Sequence, residues 1–188
     1  MRTRHMTLPW AAMALALFAA PVFAQGAAPA AATGVKKEVL AQIEDAERKM
    51  VALAEATPQE KFSYRPATGV RSTSEVFMHV TGANFLLPQF AGVTRERGVT
   101  LNRDSEKTVT DKAQVVDLLK KSFAYAKQAV MDVPDAQMDA AVTMFGQQTT
   151  KRGVLVSIAT HAHEHLGQSI AYARVNGIVP PWSGGGSQ

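Results

Sequence analysis

Apolar residues recurring every three to four positions along four long stretches restrict this chain of 188 residues to a helical fold. The first stretch runs from about Val35 to Ala56, with Val39, Ile43, Ala46, Met50 and Leu53 on one stripe, and Thr57-Pro58 stops it. The second starts in Ser72-Thr73-Ser74-Glu75, a capping-box pattern that satisfies free backbone N–H groups, and continues to about Leu87, before Pro88. A long polar stretch then reaches Thr110. The third stretch, about Asp111 to Met131, carries Val115, Leu118, Leu119, Phe123 and Ala126 at helical spacing, and Val133-Pro134-Asp135 ends it. Residues 136–150 are ambiguous: Ala136 to Ala140 suits a short helical turn, Val142 to Phe145 an extended segment. The fourth stretch runs from about Lys151 to Asn176, with Gly177 as its stop and Pro180 beyond.

With no internal repeat and no convincing run of strands, the expected class is all-α, a four-helix bundle over residues 35–182. The link between the second and third helices is long enough to cross the bundle. A long crossover there would give a topology other than simple up-down-up-down.

The N-terminus reads as a secretory signal peptide. Arg2 and Arg4 precede an apolar run from Leu8 to Phe23, and Val22-Phe23-Ala24 places small residues where a signal peptidase cuts, so cleavage is expected after Ala24. The competing reading, a membrane anchor, is disfavoured by the shortness of the run, by Pro9 and Pro21 and by the lack of a basic stop-transfer cluster. No stable membrane span is expected after cleavage, and the destination is the periplasm of a bacterium. Residues 25–34, rich in Ala, Pro and Gly, read as a flexible linker, and 183–188 as a disordered tail.

Loss of Arg2 and Arg4 leaves 18 of the 20 basic residues against 16 acidic ones, so the formal charge falls from +4 to +2. No basic stripe with interleaved aromatics occurs, and nucleic-acid binding is not expected. The chain has no Cys, which excludes disulfides, thiolate metal sites and a cysteine nucleophile.

Three of the five histidines lie in His161-Ala162-His163-Glu164-His165-Leu166-Gly167-Gln168. His161 and His165 are four apart, one helical turn, the spacing with which one helix offers two imidazoles to one ion. A third ligand must come from elsewhere, and His79 is the candidate. On a helical wheel Leu155, Ile158, Ala162, Leu166 and Ala173 define the core direction of the fourth helix. His161 and His165 fall at its edge, and Gln168 and Tyr172 continue that line. Val76, Val80, Ala83 and Leu87 do the same for the second helix, with His79 at the edge. Where two such edges meet, three imidazoles share one seam. Taken singly, His79 also fits a core-edge histidine and the pair a solvated helix face. His163 projects to the other flank and Glu164 nearly opposite the core, so neither is read as a ligand. Gln168 fits a partner orienting a ligand histidine, or an ordinary interhelical hydrogen bond.

At these residues the chain resembles the DinB-like family, within the DinB/YfiT-like superfamily. Tyr64-Arg65-Pro66, then Ser72, Glu75 and His79, look like the family's aromatic-Arg-Pro and second-helix histidine. Phe145-Gly146 with Thr149-Thr150-Lys151 resembles its approach to the last helix. His161, His165, Gly167-Gln168, Tyr172, Arg174, Asn176-Gly177 and Pro180-Pro181-Trp182 match its closing signature, the most specific block. The resemblance implies a four-helix bundle with a crossover between helices two and three. It implies a divalent metal ion, often zinc or nickel, held by His79, His161 and His165, with water completing the coordination. Many relatives are homodimers, so a homodimer is implied here too. Superfamily members include thiol-cofactor transferases and isomerases and a metal-dependent hydrolase.

Such a site would suit a metal-dependent enzyme of the hydrolase or thiol-transferase type, acting on a small molecule that the sequence does not identify. A metal-binding module without catalysis and a structural or interaction protein are the other classes. Scarcity of low-molecular-weight thiols outside the cytoplasm weighs against the transferase form. Arg65 and Tyr172 are candidates to position an electrophile; a surface salt bridge and a packed aromatic are their blander readings.

Overall fold

The computed structural model describes residue 32 and residues 34–94, 96, 98–102 and 104–184. The expected signal peptide, most of the linker and the tail from residue 185 onward lie outside the described residues. Helices α1 (Gly34–Ala56), α2 (Thr73–Phe90), α4 (Lys112–Asp132) and α5 (Lys151–Val175) are the four long elements anticipated, and α3 (Ser105–Thr108) is a single short turn. Their termini follow from local chemistry. Ser72 and Glu75 form the capping box: the Glu75 N–H donates to Ser72 Oγ at 3.3 Å and the Ser72 N–H to Glu75 Oε2 at 3.0 Å. Asp111 and Thr150 accept from the third N–H of α4 and α5 in the same way.

The core is made of the residues whose spacing marked them. Val39, Ile43, Ala46 and Met50 from α1, Val115, Leu119, Phe123 and Ala126 from α4, and Leu155, Ile158, Ala162 and Leu166 from α5 are buried together, and Leu53 is fully buried as well. Helix α2 is buried on more than one face, because α4, α5 and the link carrying α3 all pack on it.

Helix directions follow from the bonds at helix ends. Lys36 at the start of α1 meets Asp135 beyond the end of α4 at 2.8 Å, and Lys112 Nζ at the start of α4 donates to Glu55 O at the end of α1 at 2.6 Å, so these helices are antiparallel. The starts of α2 and α4 lie together: Phe62 O accepts from the Ser74 N–H, and Gln59 Oε1 from the Lys112 N–H. Further along, Asn84 bonds Ser122 at 3.1 Å, so α2 and α4 are parallel. Parallel consecutive helices require the chain to return along their length. The link 91–111 does so, which is the expected crossover.

Three sequence expectations change. Helix α2 does not stop before Pro88. Proline there forfeits one N–H bond near the helix end, and the helix ends two residues later in a Schellman closure: Val93 N–H donates to Pro88 O and Gly92 N–H to Gln89 O, with Gly92 at φ +84°. Residues 141–150 are not merely extended at one end. Strands β1 (Ala141–Met144) and β2 (Gln147–Thr150) pair antiparallel, Ala141 opposite Thr150. The two-residue loop has Phe145 at φ +50° and Gly146 at φ +81°, a type I′ turn. The polar stretch before Thr110 contains α3. Pro181–Ser183 form a 3-10 turn, and Trp182 packs on the core.

Candidate metal centre

The antiparallel packing of α2 on α5 brings His79 to His161 and His165. One ring nitrogen from each lies within 4.8 Å of the other two. Ring centroids are 5.0 Å apart for His79–His161, 4.7 Å for His79–His165 and 4.5 Å for His161–His165. The two α5 histidines are one turn apart, so the helix itself sets their spacing. His165 is buried, and the other two are partly buried.

Two rings are held from behind. His79 Nδ1 lies 2.9 Å from Glu106 Oε2 on α3, and Arg71 Nε donates to Glu106 Oε1 at 2.7 Å. His165 Nδ1 lies 2.8 Å from Gln168 Oε1. Gln168 Nε2 donates to Tyr172 Oη at 2.9 Å, and that hydroxyl donates to Arg71 O at 3.1 Å. A carboxylate and an amide oxygen only accept, so each Nδ1 carries its proton and each Nε2 presents a lone pair.

Those lone pairs test the fit of a metal. His79 Nε2 and His161 Nε2 are 3.2 Å apart. Two nitrogens bound to one ion at about 2.0–2.1 Å, near the tetrahedral angle, stand roughly 3.3 Å apart. His161 Nδ1 is buried without a hydrogen-bond partner, and an ion at Nε2 would not supply one, so only the Nε2 atoms bear on the fit. A proton shared between the rings satisfies at most one pair of nitrogens; a cation satisfies all three Nε2 atoms. The donor set, three imidazoles, suits a first-row transition-metal ion such as zinc, copper, iron or nickel.

Burial disfavours the charged form of His79 and His161. Burial, reinforced by His165, His79 and the Arg71 charge, pushes His161 down to about 4. Burial also lowers His79, against the opposing bond to Glu106. Burial would raise Glu106, but its bonds from Arg71 and His79 win and hold it below the usual carboxylate range.

Of the other residues singled out, His163 turns away and bonds Gln42 O on α1 at 3.0 Å, and Glu164 is exposed. Arg65 is engaged by Glu75 at 2.6 Å, the salt-bridge reading. Tyr172 is a buried aromatic set edge-on to Tyr64, and it anchors Gln168 rather than facing open space. Glu106 and Arg71 were not singled out. They lie 27 residues after and 8 before His79, within polar stretches, and no sequence spacing links them to a histidine.

Beside the histidines lies a cavity of about 430 Å³. Its walls are one face of α2 from Met78 to Leu87, the link from Leu101 to Glu106, Phe145 at the hairpin tip, and His161.

The family model of the DinB superfamily matches residues 42–169. The uncharacterized protein YjoA of Bacillus subtilis is 27% identical over 130 residues, 66% of this chain and 80% of that protein. A solved DinB-like protein from Bacillus cereus has the same fold, with a TM-score of 0.67 at 19% identity over 77% of this chain and 95% of that one. The crystal structure of B. subtilis YjoA gives a TM-score of 0.59 at 20% identity, over 76% and 93% of the two chains.

Proposed function

The chain belongs to the DinB superfamily, and within it we propose that His79, His161 and His165 hold one divalent metal ion, zinc or nickel, in a metal-dependent enzyme acting on a small molecule. The observation that carries this reading is the convergence of three imidazoles whose facing nitrogens have no other common partner. Structural zinc sites are closed by four protein ligands, whereas catalytic ones keep a position open. Among the described residues the cluster comprises three histidines, and a cavity adjoins it.

His79, His161 and His165, as neutral imidazoles, would leave a bound divalent ion its full charge, and the ion would supply Lewis-acid chemistry suited to hydrolysis or to thiol transfer. The protein's own part is positional. Glu106 and Gln168 fix the tautomers and ring planes of His79 and His165, and Tyr172 and Arg71 fix those partners in turn.

Turnover of ester, amide and thiol-linked substrates by zinc- and nickel-loaded protein tests the proposal. Activity that appears with metal and is lost in His165→Ala supports it. Metal retention with no turnover of any of the three classes would instead mark a binding protein.

A further inference from the structure

The two flanks of the histidine cluster differ in kind. On one side Arg65, Arg71 and Lys107 line a polar depression, but Glu75 and Glu106 engage its two arginines. On the other side the cavity wall is mostly hydrocarbon.

That cavity is elongated by construction. Met78 and His79, Gly82 and Ala83, then Leu86 and Leu87 are three successive steps along one face of α2. From His79 to Leu87 is eight residues, about 12 Å at the helical rise. The middle step is open: a Cβ added to Gly82 meets no atom within 4 Å. Glycine is among the weakest helix formers, so this position keeps space where packing does not demand it. At the far end Phe145 is 65% exposed, and Leu86 beside it is 44% exposed.

Phe145 is itself anomalous. A bulky residue at φ +50° is strained, and the first position of a type I′ turn favours Asn, Asp or Gly. Its ring stands 4.8 Å from that of Phe90, which holds it over the end of the cavity. Strained residues of this kind cluster at active sites and ligand clamps.

We infer that this cavity takes the unbranched hydrocarbon part of a substrate, an acyl or alkyl chain whose polar end meets the three histidines and whose far end lies under Phe145. The inference rests on the metal site proposed above for the polar end only.

The test is NMR titration of the protein, with and without zinc, by linear alkanols from butanol to octanol, with zinc uptake measured on the same samples. Affinity should rise about fourfold per added methylene, with or without the metal. Gly82→Leu fills the middle step and should abolish this dependence; Gly82→Ala, which meets no atom, should keep the fold. Phe145→Asn should weaken octanol binding severalfold without lowering the melting temperature, because Asn suits the turn. That variant decides the matter if Gly82→Leu does not fold. Affinity independent of chain length, or octanol binding unchanged in both cavity variants, overturns the inference. Zinc bound by the triad without chain-length dependence removes the cavity reading alone. Chain-length dependence without zinc uptake removes the metal reading and sustains the cavity.

Discussion

His79 and Glu106, 27 residues apart, meet at 2.9 Å between Nδ1 and Oε2. The crossover link makes this contact by returning along α2, so the topology of the bundle and the orientation of a proposed ligand are one fact. A carboxylate behind a ligating imidazole fixes its tautomer and raises its basicity.

Glu106→Gln retains an acceptor oxygen but removes the charge. Zinc affinity should fall about tenfold, within the range such partners contribute, with the helical circular dichroism unchanged. Glu106→Ala should cost more, since Arg71 loses its partner too. Competition titration with a chelator measures both. Equal affinity in wild type and both variants would mean that the carboxylate does not support the ring.

His79, His161 and His165 should act as a unit in metal binding. Alanine at any one leaves two imidazoles, and bound zinc or nickel should drop from about one equivalent to a small fraction of one after gel filtration. His163→Ala is the control, because its ring bonds Gln42 O in the seam with α1. Metal analysis of the four variants side by side reads this directly. Loss of metal in His163→Ala with retention in His161→Ala would reassign the site.

Helical periodicity exposed the four helices because each buries a face in one core, and burial writes a period of 3.6 into the sequence. The i,i+4 histidine pair was legible for the same reason, and His79 because it stands at the edge of such a face. The hairpin was only half visible. Its second strand, Gln147-Gln148-Thr149-Thr150, has little apolar alternation because it is largely exposed, and its turn places Phe where Asn would be the signal. Glu106 left no trace, since a polar residue in a polar link is distinguished only by what lies next to it in space. Pro88 misplaced the end of α2 because a proline removes only its own bond to the carbonyl four residues back, and the two residues after it still complete the helix.

The bond between α2 and α4 at Asn84 should be costly to break. Asn84 is fully buried, its Nδ2 donates to Ser122 Oγ at 3.1 Å, and its Oδ1 has no partner. Ser122→Ala strands both ends of the amide and should destabilise the protein by about 1–3 kcal/mol in urea denaturation. Adding Asn84→Leu, of similar size, should recover much of that loss, giving a strongly non-additive cycle. Simple additivity of the two changes would show that the pair is not coupled.

The capping box should make stability depend on acid. Glu75 accepts from Arg65 at 2.6 Å and from the Ser72 N–H at 3.0 Å. The Arg65 bond, assisted by Ser72 and opposed by burial, holds its carboxyl below the usual value of 4.5. The folded state therefore binds fewer protons there than the unfolded chain. By linkage, stability rises with pH wherever the unfolded state holds more protons. The contribution of Glu75 is thus fully present above about pH 4.5 and is lost as pH falls through its lower, folded value. Glu75→Gln should reduce stability at pH 7 by about 1–2 kcal/mol, the worth of a cap with a charged bond. Below the folded value the carboxyl is protonated in both states, so the gap between wild type and variant should narrow there. Denaturant unfolding of both proteins from pH 7 down to about pH 3 gives the curves. A gap that stays constant through that window would mean that the charge on Glu75 contributes nothing, and that only its hydrogen-bond geometry stabilises the start of α2.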